Sequence, residues 1–168
     1  MKKTEKTKLI ATKNSLGEPV RRAMIALLNE QLADVLDLGL QAKQAHWNVK
    51  GPHFIGLHEL FDKVAEQLEE FTDELAERAV ELGGVALGTI QAVASQSRLA
   101  AYPLNISSGK EHVTALSDAL ARFGRSTRSA IEAAAKAGDA DTSDLFTQVS
   151  RGVDKLLWFV EAHAQARE

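Results

Sequence analysis

A chain of 168 residues, 45% hydrophobic and 26% charged, has the size and balance of one globular domain, and no composition shift marks a second. The absence of cysteine excludes disulfides, thiolate metal sites and a cysteine nucleophile, and it suits a cytoplasmic protein. Only three prolines and one tyrosine, among many Ala, Leu, Glu, Lys and Gln, favour helices over sheets, and no apolar run approaches the roughly 20 residues of a membrane span or a signal region.

The formal net charge of −3 hides an asymmetry. Lys2, Lys3, Lys6, Lys8 and Lys13 against Glu5 make residues 1 to 13 net +4, whereas 15 basic and 22 acidic residues make the rest −7. Residues 1–17 therefore read as a flexible lysine-rich tail on an acidic body, 18–168. Polyanions are the natural partners of such a tail, and a solubilising terminus is the alternative.

Four segments then repeat apolar residues at three- and four-residue steps, the period of amphipathic helices. The first, about Pro19 to Val49, carries Val20, Met24, Leu28, Gln31, Val35 and Leu38 on one face, and Gly51-Pro52 ends it. The second, about Phe54 to Leu82, lines up Leu57, Phe61, Val64, Leu68, Phe71, Leu75, Ala79 and Leu82 before Gly83-Gly84. A connection from Val85 to Ser107 is long enough to cross a bundle and has room for a short helix. The third helix, about Ser108 to Ala137, shows Val113, Leu116, Leu120, Phe123, Thr127, Ile131 and Ala134. The fourth, about Thr142 to Ala166, shows Leu145, Val149, Val153, Leu156 and Val160. Two short links and one long crossover between the second and third helices are the connectivity of an all-α, ferritin-like four-helix bundle.

Ligand-type residues avoid these stripes. With Leu57 at zero and about 100° per residue, His58, Asp62, Asp73 and Glu77 fall at about 100°, 140°, 160° and 200°, on a face turned away from the chain's own core. A solvated acidic face is the bland reading. Against it, His58 and Asp62 are an i, i+4 pair, as are Asp73 and Glu77, and the Gly51-Pro52 turn brings His46 toward the start of the second helix. Imidazole with carboxylate suits Fe(II), Mn(II) or Zn(II). Yet His58 and Asp73 are about 22 Å apart along the axis, so one chain cannot close the site. A second copy packed antiparallel across a two-fold axis near Gln67 and Leu68 would close it, twice per dimer. No Glu-x-x-His pair of an intrasubunit di-iron bundle is present.

The run Lys43-Gln44-Ala45-His46-Trp47-Asn48, then Phe54, His58-Glu59, Asp62, and Asp73-x-x-Ala76-Glu77-Arg78 before Leu82-Gly83-Gly84, resembles the Dps family, DNA-binding proteins from starved cells. The likeness reaches Asp154-Lys155-Leu156-Leu157-Trp158-Phe159 near the end of the chain. It implies a ferroxidase whose ligands are His46, His58 and Asp62 of one chain with Asp73 and Glu77 of its partner. It also implies a hollow dodecamer in which iron is oxidised, preferentially by hydrogen peroxide, and stored as ferric mineral, with zinc a possible substitute at the site.

Trp47 would lie beside the site and take up stray oxidising equivalents, or simply pack at a helix end. Asp139, Asp141, Asp144 and Asp154 resemble the family's acidic iron channels, although Asp139 and Asp141 equally suit a helix start. The tail lysines match in composition the arms with which some members coat DNA without sequence preference, which would place the protein at the nucleoid and join iron chemistry to DNA condensation under stress. His53, His112 and His163 are read as surface or packing residues. The competing readings are a nucleoid-compacting DNA-binding protein with a secondary metal site and a structural cage without oxidase turnover.

Overall fold

The structure, a computed structural model, describes residues 9–165. It contains α1 (Glu18–Asn48), α2 (Phe54–Glu81), α3 (Ile90–Gln96), α4 (Gly109–Ala137) and α5 (Ala140–Glu161). Among the described residues there is no strand, only an isolated backbone bridge between Lys50 and Ser108. No helix among them is long and apolar enough to cross a membrane.

The apolar periodicity explains the packing. Every residue of the expected α2 stripe is buried, from Leu57 through Phe61 and Leu68 to Leu82, and each Leu, Val or Phe among them contributes about 1.5–3 kcal/mol by leaving water. They meet Leu28, Val35 and Leu38 of α1, Leu116, Leu120 and Phe123 of α4, and Val149, Val153 and Val160 of α5 in one core. α1 pairs with α2 and α4 with α5; α1 also meets α4, and α2 meets α5, which leaves α2 and α4 on a diagonal. Where Gly152 passes α2, an added Cβ would lie 2.3 Å from the Phe71 ring, so this crossing admits no larger residue.

The ends follow local chemistry. Ser108 and Glu111 form a reciprocal capping box at α4. Gly51, at φ +117°, makes the reversal between α1 and α2, a conformation that residues with a Cβ rarely adopt. The last helix differs from expectation at both ends: Asp139 caps it and starts it at Ala140, and it stops at Glu161 in place of Ala166, which lies outside the described residues. Near its start Phe146 is fully buried, whereas Leu145 only packs partly buried against the core.

The crossover holds α3 and is clamped to a polar edge of α1. Asn29 accepts from Leu87 N–H and donates to the Val85 carbonyl. Asp34 accepts three hydrogen bonds from Arg98, at its backbone N–H, Nε and Nη2. Asp37 accepts from Ser97, and Gln41 donates to the Ala100 carbonyl. Asp34 is 1% exposed, so this carboxylate survives burial only because Arg98 answers it.

Of the expected tail, Lys2, Lys3, Lys6 and Lys8 lie outside the described residues, and Lys13 is exposed. Ile10 N–H donates to the Gly83 carbonyl at 2.9 Å, and a Cβ on Gly83 would lie 2.5 Å from the Ile10 carbonyl oxygen. The described part of that segment is thus tied to the end of α2.

Candidate metal centre

The reversal at Gly51 brings the end of α1 against the start of α2, and two imidazoles meet there. The rings of His46 and His58 stack with centroids 3.7 Å apart, and Phe54 lies 5.1 Å from the His58 ring. Their backbones lock them reciprocally: His46 Nδ1 is 2.7 Å from the His58 carbonyl oxygen, and His58 Nδ1 is 2.8 Å from the His46 carbonyl oxygen. A carbonyl only accepts, so each Nδ1 carries the proton and each Nε2 keeps its lone pair. This is the arrangement that orients histidine for a metal.

Asp62, one turn beyond His58, stands 4.0 Å from His46 Nδ1. Its carboxylate is held by Lys43 at 2.5 Å. That hydrogen bond is the largest influence keeping the Asp62 carboxyl below its usual range, and partial desolvation opposes it. Lys43 also lies 5.8 Å above the Trp47 ring, which is 63% exposed. In the sequence, the only signal for this role of Lys43 is its spacing of three residues from His46 on one helix.

Asp73 and Glu77 lie farther along α2, exposed and without a hydrogen bond or ion pair to any described residue. Within one chain, no group of three or more His, Asp or Glu among the described residues comes close enough to hold a metal. The chain thus brings His46, His58 and Asp62 to one end of α2 and leaves Asp73 about 22 Å from His58, and Glu77 about 22 Å from Asp62, along the axis.

The four channel candidates separate. Asp139 is 2% exposed; it caps α5 through Thr142 N–H, accepts from Thr142 Oγ1 and pairs with Arg78 at 3.0 Å. Asp139 thus takes up the helix-start role that its position equally suited, enclosed within the chain. Asp141 and Asp144 are exposed, and Asp154 pairs with Arg128 at 2.9 Å. His112, expected at the surface or in packing, is 1% exposed with Nδ1 2.8 Å from the Tyr102 hydroxyl. Burial pushes the imidazole pKa down against the opposing charge of Glu111, and burial pushes the Tyr102 hydroxyl up.

A single helical chain with this connectivity, two short links and one long crossover, is a ferritin-like protein. The chain belongs to the Dps family. A family model described as a ferritin-like domain matches residues 25–167. A DNA protection during starvation protein of Agrobacterium fabrum is 48% identical over 156 residues, covering 93% of this chain and 96% of that one. The protein of the same description from Mycolicibacterium smegmatis is 35% identical over 142 residues, covering 83% and 76%. Among solved structures, Mycobacterium smegmatis Dps in its tetragonal form superposes with a TM-score of 0.90 at 31% identity, covering 95% of this chain and 96% of that one.

Proposed function

We propose that this protein is a ferroxidase and iron store that protects DNA, with Fe(II) as substrate at a site built by two subunits. The observation that carries this is the pair of backbone-locked imidazoles, each with Nε2 free, beside a carboxylate that already holds a cation. In this reading His46, His58 and Asp62 of one chain and Asp73 and Glu77 of an antiparallel partner ligate iron, at two sites per two-fold dimer. Lys43 withdraws from Asp62 as the metal arrives, so one positive charge replaces another. Binding of iron also relieves the repulsion among carboxylates brought together at the interface.

Hydrogen peroxide is the proposed oxidant. Two Fe(II) ions lose one electron each, the peroxide O–O bond accepts both and breaks, and two protons complete two waters. Delivering the electrons as a pair leaves no hydroxyl radical, which is how iron oxidation would spare DNA. Iron oxidised in this way would be stored as mineral inside a dodecameric shell, reached past Asp141, Asp144 and Asp154. The lysine-rich tail, residues 1–17, would add sequence-independent DNA contacts in the cytoplasm, and Trp47 would intercept stray oxidising equivalents.

Anaerobic loading of the metal-free protein with Fe(II), followed by peroxide, tests the reading through ferric absorbance and the iron retained on gel filtration. Oxidation near two Fe(II) per peroxide with iron retained is expected. Oxidation no faster than in buffer, with iron lost on the column, would leave the DNA-compacting and inert-cage readings in its place.

A further inference from the structure

A groove of about 700 Å³ runs between the crossover and α4, walled by Tyr102 and Pro103 on one side and by Lys110, Asp118, Arg122 and Arg125 on the helix. Most arginines of the body are committed elsewhere. Arg21 donates to the Leu16 and Leu82 carbonyls, and Arg22, Arg78, Arg98 and Arg128 pair with Glu18, Asp139, Asp34 and Asp154. Arg122 and Arg125 are exposed and their guanidinium groups make no hydrogen bond or ion pair with any described residue, and the same holds for the Lys110 ammonium. Of the two acids on the groove, Glu111 is occupied by the Ser107 and Ser108 N–H groups and the Ser108 hydroxyl in the α4 cap. Only Asp118 remains to oppose the cations.

We infer that this groove is a DNA contact on the body of the subunit, in which Lys110, Arg122 and Arg125 follow the phosphates of one strand of a duplex. The inference rests on the DNA-protection reading and adds a surface distinct from the tail. Length selects the ligand class: Lys110 and Arg122 are about 18 Å apart along the helix and Lys110 and Arg125 about 22 Å, too far to grip one small anion but matched to a row of phosphates. Location agrees, because α4 is diagonal to α2, so the groove lies away from the acidic face assigned to iron and to the partner chain. Guanidinium and ammonium groups on a phosphate backbone carry no base information, so binding here is indifferent to sequence and steeply dependent on salt.

The test is fluorescence anisotropy of a labelled duplex with the full-length assembled protein across salt concentrations. The double variant Arg122→Gln/Arg125→Gln is expected to lose at least about tenfold in affinity and to flatten the logarithmic salt dependence by about two per contacting subunit. Asp118→Asn, which removes the opposing charge, is expected to bind about threefold tighter, a gain that misfolding cannot imitate. Arg151→Gln, an exposed cation on α5, serves as the unaffected control. Protein lacking residues 1–8 is expected to retain measurable binding. Parent-like affinity and salt slope in the double variant, no gain in Asp118→Asn, complete loss on removing residues 1–8, or no binding by the parent would each overturn the groove. Iron oxidation by the same variants reports separately on the reading beneath it.

Discussion

The two halves of α2 are built in opposite ways. At its start, His58 is fixed by a backbone carbonyl, stacked on His46 and followed by Asp62 with a resident lysine; at its far half, Asp73 and Glu77 stand exposed with no partner among the described residues. A side chain that is prearranged has already given up its conformational freedom, whereas an exposed carboxylate keeps both freedom and water until something orders it. In the proposed reading, this contrast is that between a prearranged set of ligands and a set that stays unordered in the single chain. Only a second copy, presenting the complementary halves, would complete each.

The sharpest way to break this comparison is to damage one half at a time. His58→Ala and Asp73→Ala are each expected to slow peroxide-driven Fe(II) oxidation by about 100-fold or more, in the range for loss of a ligand or its orienting partner. Near-normal rates in Asp73→Ala alone would show that the far half is an ordinary solvated face. Circular dichroism and assembly state of Asp73→Ala should match the parent, since this side chain has no partner to lose within the chain.

A second, smaller effect concerns the frame that holds the halves. Arg98→Ala leaves the buried Asp34 carboxylate unanswered and is expected to cost about 2–3 kcal/mol, below the usual range for a buried pair because Arg98 is itself 40% exposed. Chemical denaturation measures the loss, and hydrogen exchange should show the crossover opening first. An unchanged midpoint would mean that the apolar core alone positions α3.

The smallest effect is a pH dependence in the first turn of α4. His112 is buried with a pKa below the ordinary 6.5, so the unfolded chain binds its proton more readily than the folded one. Stability from this group is therefore full above about pH 6.5 and declines as pH falls toward the folded value. Thermal midpoints of His112→Gln are expected to vary less than those of the parent over that interval. A parallel shift at every pH would assign His112 a packing role only.

How much of this could be read beforehand depended on the kind of interaction. The α2 stripe from Leu57 to Leu82 was legible because burial repeats with the helix period, and the same period exposed His58, Asp62, Asp73 and Glu77 as a separate face. The two-residue reversal at Gly51-Pro52 was enough to bring His46 and His58 together. What stayed hidden were pairings between residues distant in sequence: Asp34 with Arg98, Arg78 with Asp139, and Tyr102 with His112 have no periodic signature. Asp139 illustrates the limit, since an acid before a helix looks the same in sequence whether it lines a channel or caps the helix with an arginine across it. Lys43 on Asp62 was hidden for a different reason, because a lysine within reach of ligand-type residues on a helix has many possible acceptors.

Mixing subunits tests the shared site most directly. When His58→Ala and Asp73→Ala chains are unfolded together and reassembled, each mixed two-fold pair has one site carrying both lesions and one carrying neither. Random pairing of two inactive proteins is then expected to recover about a quarter of the parent's oxidation rate. Recovery of none of it, in assemblies shown to contain both chains, would contradict a centre divided between two copies.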